Sequence, residues 1–163
     1  MATLTLNQVV DMSNLTIWTG SVAIANSSQL EISDGIHRID YFGNFSYSSG
    51  SLSGGTISSV YYYVNNSIVY SVTGASASVV TVNSYQQAGD VLGLYTYFLS
   101  GGDTINGSSD GDVILSFAGN DTIYGNRGND IILGGTGTDV VGFNYNYNLS
   151  LIHISEPTRP ERI

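Results

Sequence analysis

The sequence predicts an all-β chain: a small antiparallel β-module, a short helix, then a regular repeat array. Three observations predict it. Short runs rich in Val, Ile, Thr, Ser and Tyr alternate with turn signals as far as about residue 82. The apolar spacing becomes helical between Ser84 and Ser100, and from Phe98 the chain repeats every nine residues.

The first element is the module over residues 1–83. The runs "LEIS" and "IHRIDYF" flank Asp34-Gly35, and "VYYYV" and "IVYSV" flank Asn65-Asn66-Ser67, so tight hairpins are expected at both places. Strands at such regular spacing predict a small antiparallel sandwich. The tyrosines at 61–63 read as ordinary β-formers. Residues 84–97 are a short helical cap or linker. Val91, Leu94, Tyr95, Phe98 and Leu99 lie at helical spacing behind Asp90, a capping residue, which predicts a helix near 90–99. Gly93 lowers its propensity by roughly 1 kcal/mol. The expected role of this helix is to cover the open end of the array, because a terminal repeat exposes apolar surface.

The array itself can be written in nines: "FLSGGDTIN", "GSSDGDVIL", "SFAGNDTIY", "GNRGNDIIL", "GGTGTDVVG". Asp falls at 103, 112, 121, 130 and 139, and two places later comes Ile105, Ile114, Ile123, Ile132 or Val141. A fixed register of this kind describes a repeat architecture in which the aliphatic residues stack as a core.

These residues resemble the RTX family, the hemolysin-type calcium-binding nonapeptide repeats, whose pattern is G-G-x-G-x-D-x-U-x. The last repeat, Gly134 to Gly142, matches it fully, whereas Asp110, Ser116-Phe117, Asn126 and "FLSGGD" depart from it. The resemblance implies a parallel β-roll (an RTX β-helix or solenoid) over residues 98–142, each repeat giving a six-residue turn and a three-residue strand. Two repeats make one coil, and Ca²⁺ sits between turns two repeats apart. It therefore implies up to three internal Ca²⁺ sites, pairing Asp103 with Asp121, Asp112 with Asp130 and Asp121 with Asp139. Carbonyls of Gly119, Gly128, Gly134, Gly135 and Gly137 would complete them, because Ca²⁺ takes six to eight hard oxygen ligands. The loss of the Gly-Gly pair in "FLSGGD" ranks the Asp103 site last. Alternation would place Val113, Leu115, Ile131 and Leu133 on one outer face, and Thr104, Asn106, Thr122, Tyr124 and Val140 on the other. The first face is too apolar for water and is expected to pack on the N-terminal module or on a partner.

Composition agrees with a cation as ligand. Asp plus Glu outnumber Lys plus Arg by 13 to 4, for a net charge of −9, and no Lys occurs. A nucleic-acid partner is disfavoured. With no Cys, thiol catalysis, disulfides and Cys-ligated zinc are excluded. The second His, His153, lies in the C-terminal tail, and no catalytic constellation is visible around His37, so no enzymatic activity is expected of this fragment. Asp11, Glu31, Asp34, Asp40 and Asp90 lack the nine-residue spacing and read as surface or turn residues. No run is long enough for a membrane span, and the N-terminus lacks the basic and apolar regions of a secretory signal.

The composition changes near Leu149: both prolines lie beyond it. Residues 149–160, "LSLIHISEPTRP", resemble the translation of a sequencing-library adapter, and 143–163 are expected to be a disordered tail. The function expected is a calcium-binding module of a secreted bacterial protein. By resemblance it would leave the cell unfolded by type I secretion and fold on Ca²⁺ outside. The alternatives are a truncated piece of a larger RTX enzyme or toxin, and a surface adhesion or ice-binding module.

Overall fold

A computed structural model of the chain describes residues 1–16 and 19–142. The expected disordered tail and its adapter-like segment lie outside the described residues. The elements are β1 (Thr3–Leu6), β2 (Ser21–Ala25), β3 (Gln29–Ser33), β4 (His37–Ser48), β5 (Ser51–Val64), β6 (Ser67–Ser78), α1 (Val79–Ala88), α2 (Val91–Phe98), β7 (Thr104–Asn106), β8 (Val113–Leu115), β9 (Thr122–Tyr124), β10 (Ile131–Leu133) and β11 (Val140–Gly142). A 3-10 turn follows β1 at Met12–Asn14.

Both expected hairpins form. Asn65 and Asn66, at φ 50° and 62°, give the left-handed pair that a two-residue β5–β6 turn needs, and Asn tolerates that region better than most side chains. Strands β2 to β6 make an antiparallel meander, but no second antiparallel sheet covers it among the described residues. The expected sandwich is thereby corrected. Its place is taken by α1 and α2, which pack on β5 and β6.

The helix α1 was not anticipated, because Val79, Val80, Thr81 and Val82 read as strand. Its ends carry the signals that override propensity: the Ser78 hydroxyl accepts from the Thr81 amide, and Gly89 closes the helix at φ 69°. The second helix begins as expected, with Asp90 Oδ1 accepting from the Gly93 amide at 2.8 Å. Gly93 leaves room for that cap, since a Cβ would lie 2.3 Å from Asp90 Oδ2 and displace the carboxylate.

Beyond the meander the sheet continues without a break. Its nine strands run β11-β9-β7-β1-β6-β5-β4-β3-β2, while β8 and β10 form a separate two-stranded sheet. Pairing within the array is parallel and joins alternate repeats: Thr122 with Thr104 and Val140, Val113 with Ile131. This is the two-repeat coil of a β-roll. Ile105, Ile114, Ile123 and Ile132 fill its interior, joined with Leu4, Val72, Val82 and Leu99 in one core. Burying each such side chain is worth about 1.5–3 kcal/mol.

The open end of the roll is covered by the chain's own N-terminus, not by the helix. Thr3, Leu4 and Thr5 pair in parallel with Thr104, Ile105 and Asn106, and Asp11 bridges Val113 in the other sheet. Leu4 thus stands opposite Ile105, and Met12 is buried one residue past the second bridge. These residues build a coil that precedes the repeats in space although its sequence lacks the repeat pattern. On the apolar outer face, Val113, Leu115 and Leu133 are half-buried and Ile131 is 46% exposed.

Candidate metal centre

Each nonapeptide strand is only three residues long, so the register of the roll depends on what happens at its turns. Asp103, Asp112, Asp121 and Asp130 are buried, at 2%, 1%, 1% and 4% exposure, and Asp139 at the last turn is half-buried. Isolated ionised carboxylates buried to this degree need compensation. One oxygen of each receives it from the main chain. The amide of Asp103 donates to Asp121 Oδ1 at 2.8 Å, that of Asp112 to Asp130 Oδ1 at 2.9 Å, and that of Asp121 to Asp139 Oδ1 at 3.0 Å. The three pairs that the resemblance implies are brought together.

The N-terminal coil supplies the same bond to the first member of each ladder. The amide of Ala2 donates to Asp103 Oδ1, and that of Val10 to Asp112 Oδ1 at 2.7 Å. Nothing in "MATLTL" or "QVVDM" signals this, because the donors are main-chain groups and neither Ala2 nor Val10 resembles the Asp whose place it takes. Alternation in β1 was the single visible trace.

The second oxygens decide the chemistry. Asp103 Oδ2 and Asp121 Oδ2 are buried with no hydrogen-bond partner. Burial raises the Asp121 carboxyl above the usual carboxylate range, against the Asp103 amide that lowers it, and burial likewise raises Asp130. An orphaned, dehydrated carboxylate oxygen fits a hard cation. No group of three or more His, Cys, Asp or Glu converges among the described residues, so a cage here would draw its remaining oxygens from backbone carbonyls.

The glycine turns bring such carbonyls close. Gly119 and Gly137, at φ 135° and 132°, stack so tightly that a Cβ would lie 2.0 Å from the Gly101 carbonyl oxygen and 1.8 Å from that of Gly119. The same construction gives 1.7 Å from Gly135 to the Phe117 carbonyl oxygen and 2.5 Å from Gly128 to that of Asp110. Gly134 lies instead under its own aspartate, a Cβ there meeting Asp139 Oδ2 at 2.5 Å. All five expected glycines lie in the turns between strands, and of them Gly134 is the one packed against a ladder carboxylate.

The other acidic residues divide. Asp34, Asp11 and Asp90 serve turns and caps as expected. Asp40 does not lie on the surface: it is 6% exposed on β4, 3.4 Å from the Arg38 guanidinium, and burial raises its carboxyl. His37 stacks on Tyr62 and pairs with Asp34.

Residues 99–132 and 107–141 match the family model of the RTX calcium-binding nonapeptide repeat (4 copies). The array is a block of hemolysin-type RTX repeats, a calcium-binding module. No curated protein and no solved structure matches the chain. Among the described residues no helix is long and apolar enough to cross a membrane.

Proposed function

We propose that the chain is the Ca²⁺-binding module of a secreted bacterial protein and that its roll folds on Ca²⁺ outside the cell. The observation that carries this reading is the pair of buried, partnerless oxygens, Asp103 Oδ2 and Asp121 Oδ2, each on a carboxylate whose other oxygen is already bonded. Breaking compensation at a buried charge costs about 3–5 kcal/mol, a large fraction of the stability of a small domain. Asp103, Asp121, Asp130 and Asp139, with turn carbonyls of Gly119, Gly128, Gly134, Gly135 and Gly137, are the residues that would hold the ions. Calcium supplies the positive charge that lets stacked carboxylates approach. The chain's own residues do the rest: Asp Oδ1 atoms fix the register through main-chain amides, and the glycine turns permit carbonyl stacking.

Without the ion, carboxylate repulsion and the entropy of ordering Gly-rich turns favour the unfolded roll. Extracellular modules have affinities of roughly 10⁻⁴ to 10⁻³ M, so such sites fill outside the cell. This agrees with export of an unfolded chain. Calorimetric titration of the chain with Ca²⁺ tests the reading: saturable uptake supports it, and no uptake at millimolar Ca²⁺ removes it.

The reading as an adhesion or ice-binding module gains one observation. Thr122, Thr104, Thr3 and Thr73 are paired in register across β9, β7, β1 and β6, twice the Thr row that the repeats alone offer. Inhibition of ice recrystallisation that Thr104→Tyr abolishes would favour it, and no effect of the native chain on ice growth would end it.

A further inference from the structure

We infer that the two edges of the roll are not equivalent: the Asp103 and Asp121 edge takes cations, whereas Ser108 closes the Asp112 position by taking the cation's place. This rests on the calcium-binding reading above and reverses the order expected from the sequence, in which the Asp103 site ranks last.

The three aspartates start from the same position. Each is at least 98% buried, and each Oδ1 accepts one main-chain amide of the preceding coil, from Ala2, Val10 and Asp103 respectively. They differ at Oδ2. Asp103 Oδ2 and Asp121 Oδ2 have no hydrogen-bond partner; the Ser116 hydroxyl beside Asp121 donates to the Gly134 carbonyl oxygen at 2.6 Å instead. Asp112 Oδ2 accepts two, the Ser108 amide at 2.7 Å and the Ser108 hydroxyl at 2.9 Å. Two hydrogens with partial positive charge already point at the oxygen that a cation would need, and Ser108 itself is 7% exposed. A cation there would have to displace both bonds.

Backbone geometry gives an independent sign. Ser108 is the second residue of its repeat, the position held by Phe117, Asn126 and Gly135 in the three repeats that follow. Those three have φ of 68°, 67° and 78°, in the left-handed region. Ser108 is not among the positive-φ residues. Its turn has therefore been folded differently, in the direction that aims its amide and hydroxyl at Asp112. The Asp110 amide in turn donates to the Ser108 hydroxyl oxygen at 3.1 Å and holds it in place.

The test is the number of calcium ions held by the full chain, counted by native mass spectrometry in millimolar Ca²⁺ for the native protein and for Asp121→Asn, Asp112→Asn and Ser108→Gly. Asp121→Asn should lose at least one ion and Asp112→Asn none, while Ser108→Gly, which restores the residue of the full repeat pattern, should gain one. A Ser108→Gly protein that stays folded with the native count overturns the inference, as does loss of an ion in Asp112→Asn. Ser108→Gly keeps the test decisive if Asp112→Asn does not fold. A native chain that holds no calcium would instead remove the functional reading beneath it.

Discussion

The amide of Asp103 donates to Oδ1 of Asp121, eighteen residues further along the chain, at 2.8 Å. One coil of the roll is thus locked to the next by the residues that, on the proposed reading, also hold calcium. The two oxygens of the carboxylate differ: Oδ1 carries the register, and Oδ2 is left without a hydrogen-bond partner.

Asp121→Asn retains an acceptor for the Asp103 amide but removes the charge. Calcium affinity should fall by tenfold or more, about 1.4 kcal/mol, when measured calorimetrically. Affinity equal to the native value would mean that the carboxylate serves the register alone.

Gly119 and Gly101 form a matched pair. Alanine at Gly119 meets a carbonyl oxygen at 2.0 Å at a φ of 135°, whereas alanine at Gly101 meets nothing within 4 Å. In denaturant titrations at saturating Ca²⁺, Gly119→Ala should lose about 2 kcal/mol or more and Gly101→Ala should lie within about 0.5 kcal/mol of native. Equal losses would contradict the stacked-turn geometry.

Removal of residues 1–12 deletes the first coil, with the buried side chains of Leu4 and Met12 and the amides that bond Asp103 and Asp112. The Ca²⁺ concentration at the folding midpoint should rise severalfold, read by the far-ultraviolet signal. An unchanged midpoint would show that the repeats need no N-terminal coil.

Asp34 provides a pH dependence away from the roll. The His37 side chain, followed by the His37 amide, holds its carboxyl down to about 2 from 3.8. A depressed carboxylate contributes stability that is present above its unfolded value and lost as pH falls through the folded one. That window is 3.8 down to about 2. A carboxyl-carbon NMR titration should place Asp34 near 2, rising toward 3.8 in His37→Ala, and a native value near 3.8 would contradict the turn geometry.

The repeats were legible because their chemistry is local: Asp and the aliphatic residue two places later recur on a fixed ruler, and the i to i+18 pairing follows from two repeats per coil. The N-terminal coil was not, because Leu4 meets Ile105 across a hundred residues and is held by amides that any residue but Pro can supply. The helix α1 was hidden by β-branched residues whose caps, Ser78 and Gly89, outweigh propensity. Ser108 drew no notice in the sequence, and its two bonds to Asp112 become visible only with the turn folded.

The central claim, that calcium folds the roll, is tested most directly by circular dichroism and calorimetry of the chain during a Ca²⁺ titration from chelator, beside a variant with Asp103, Asp121 and Asp139 changed to Asn. The account predicts a cooperative gain of β-signal with heat of binding in the native chain and neither in the variant. Two proteins equally folded in chelator, neither binding Ca²⁺, would contradict it.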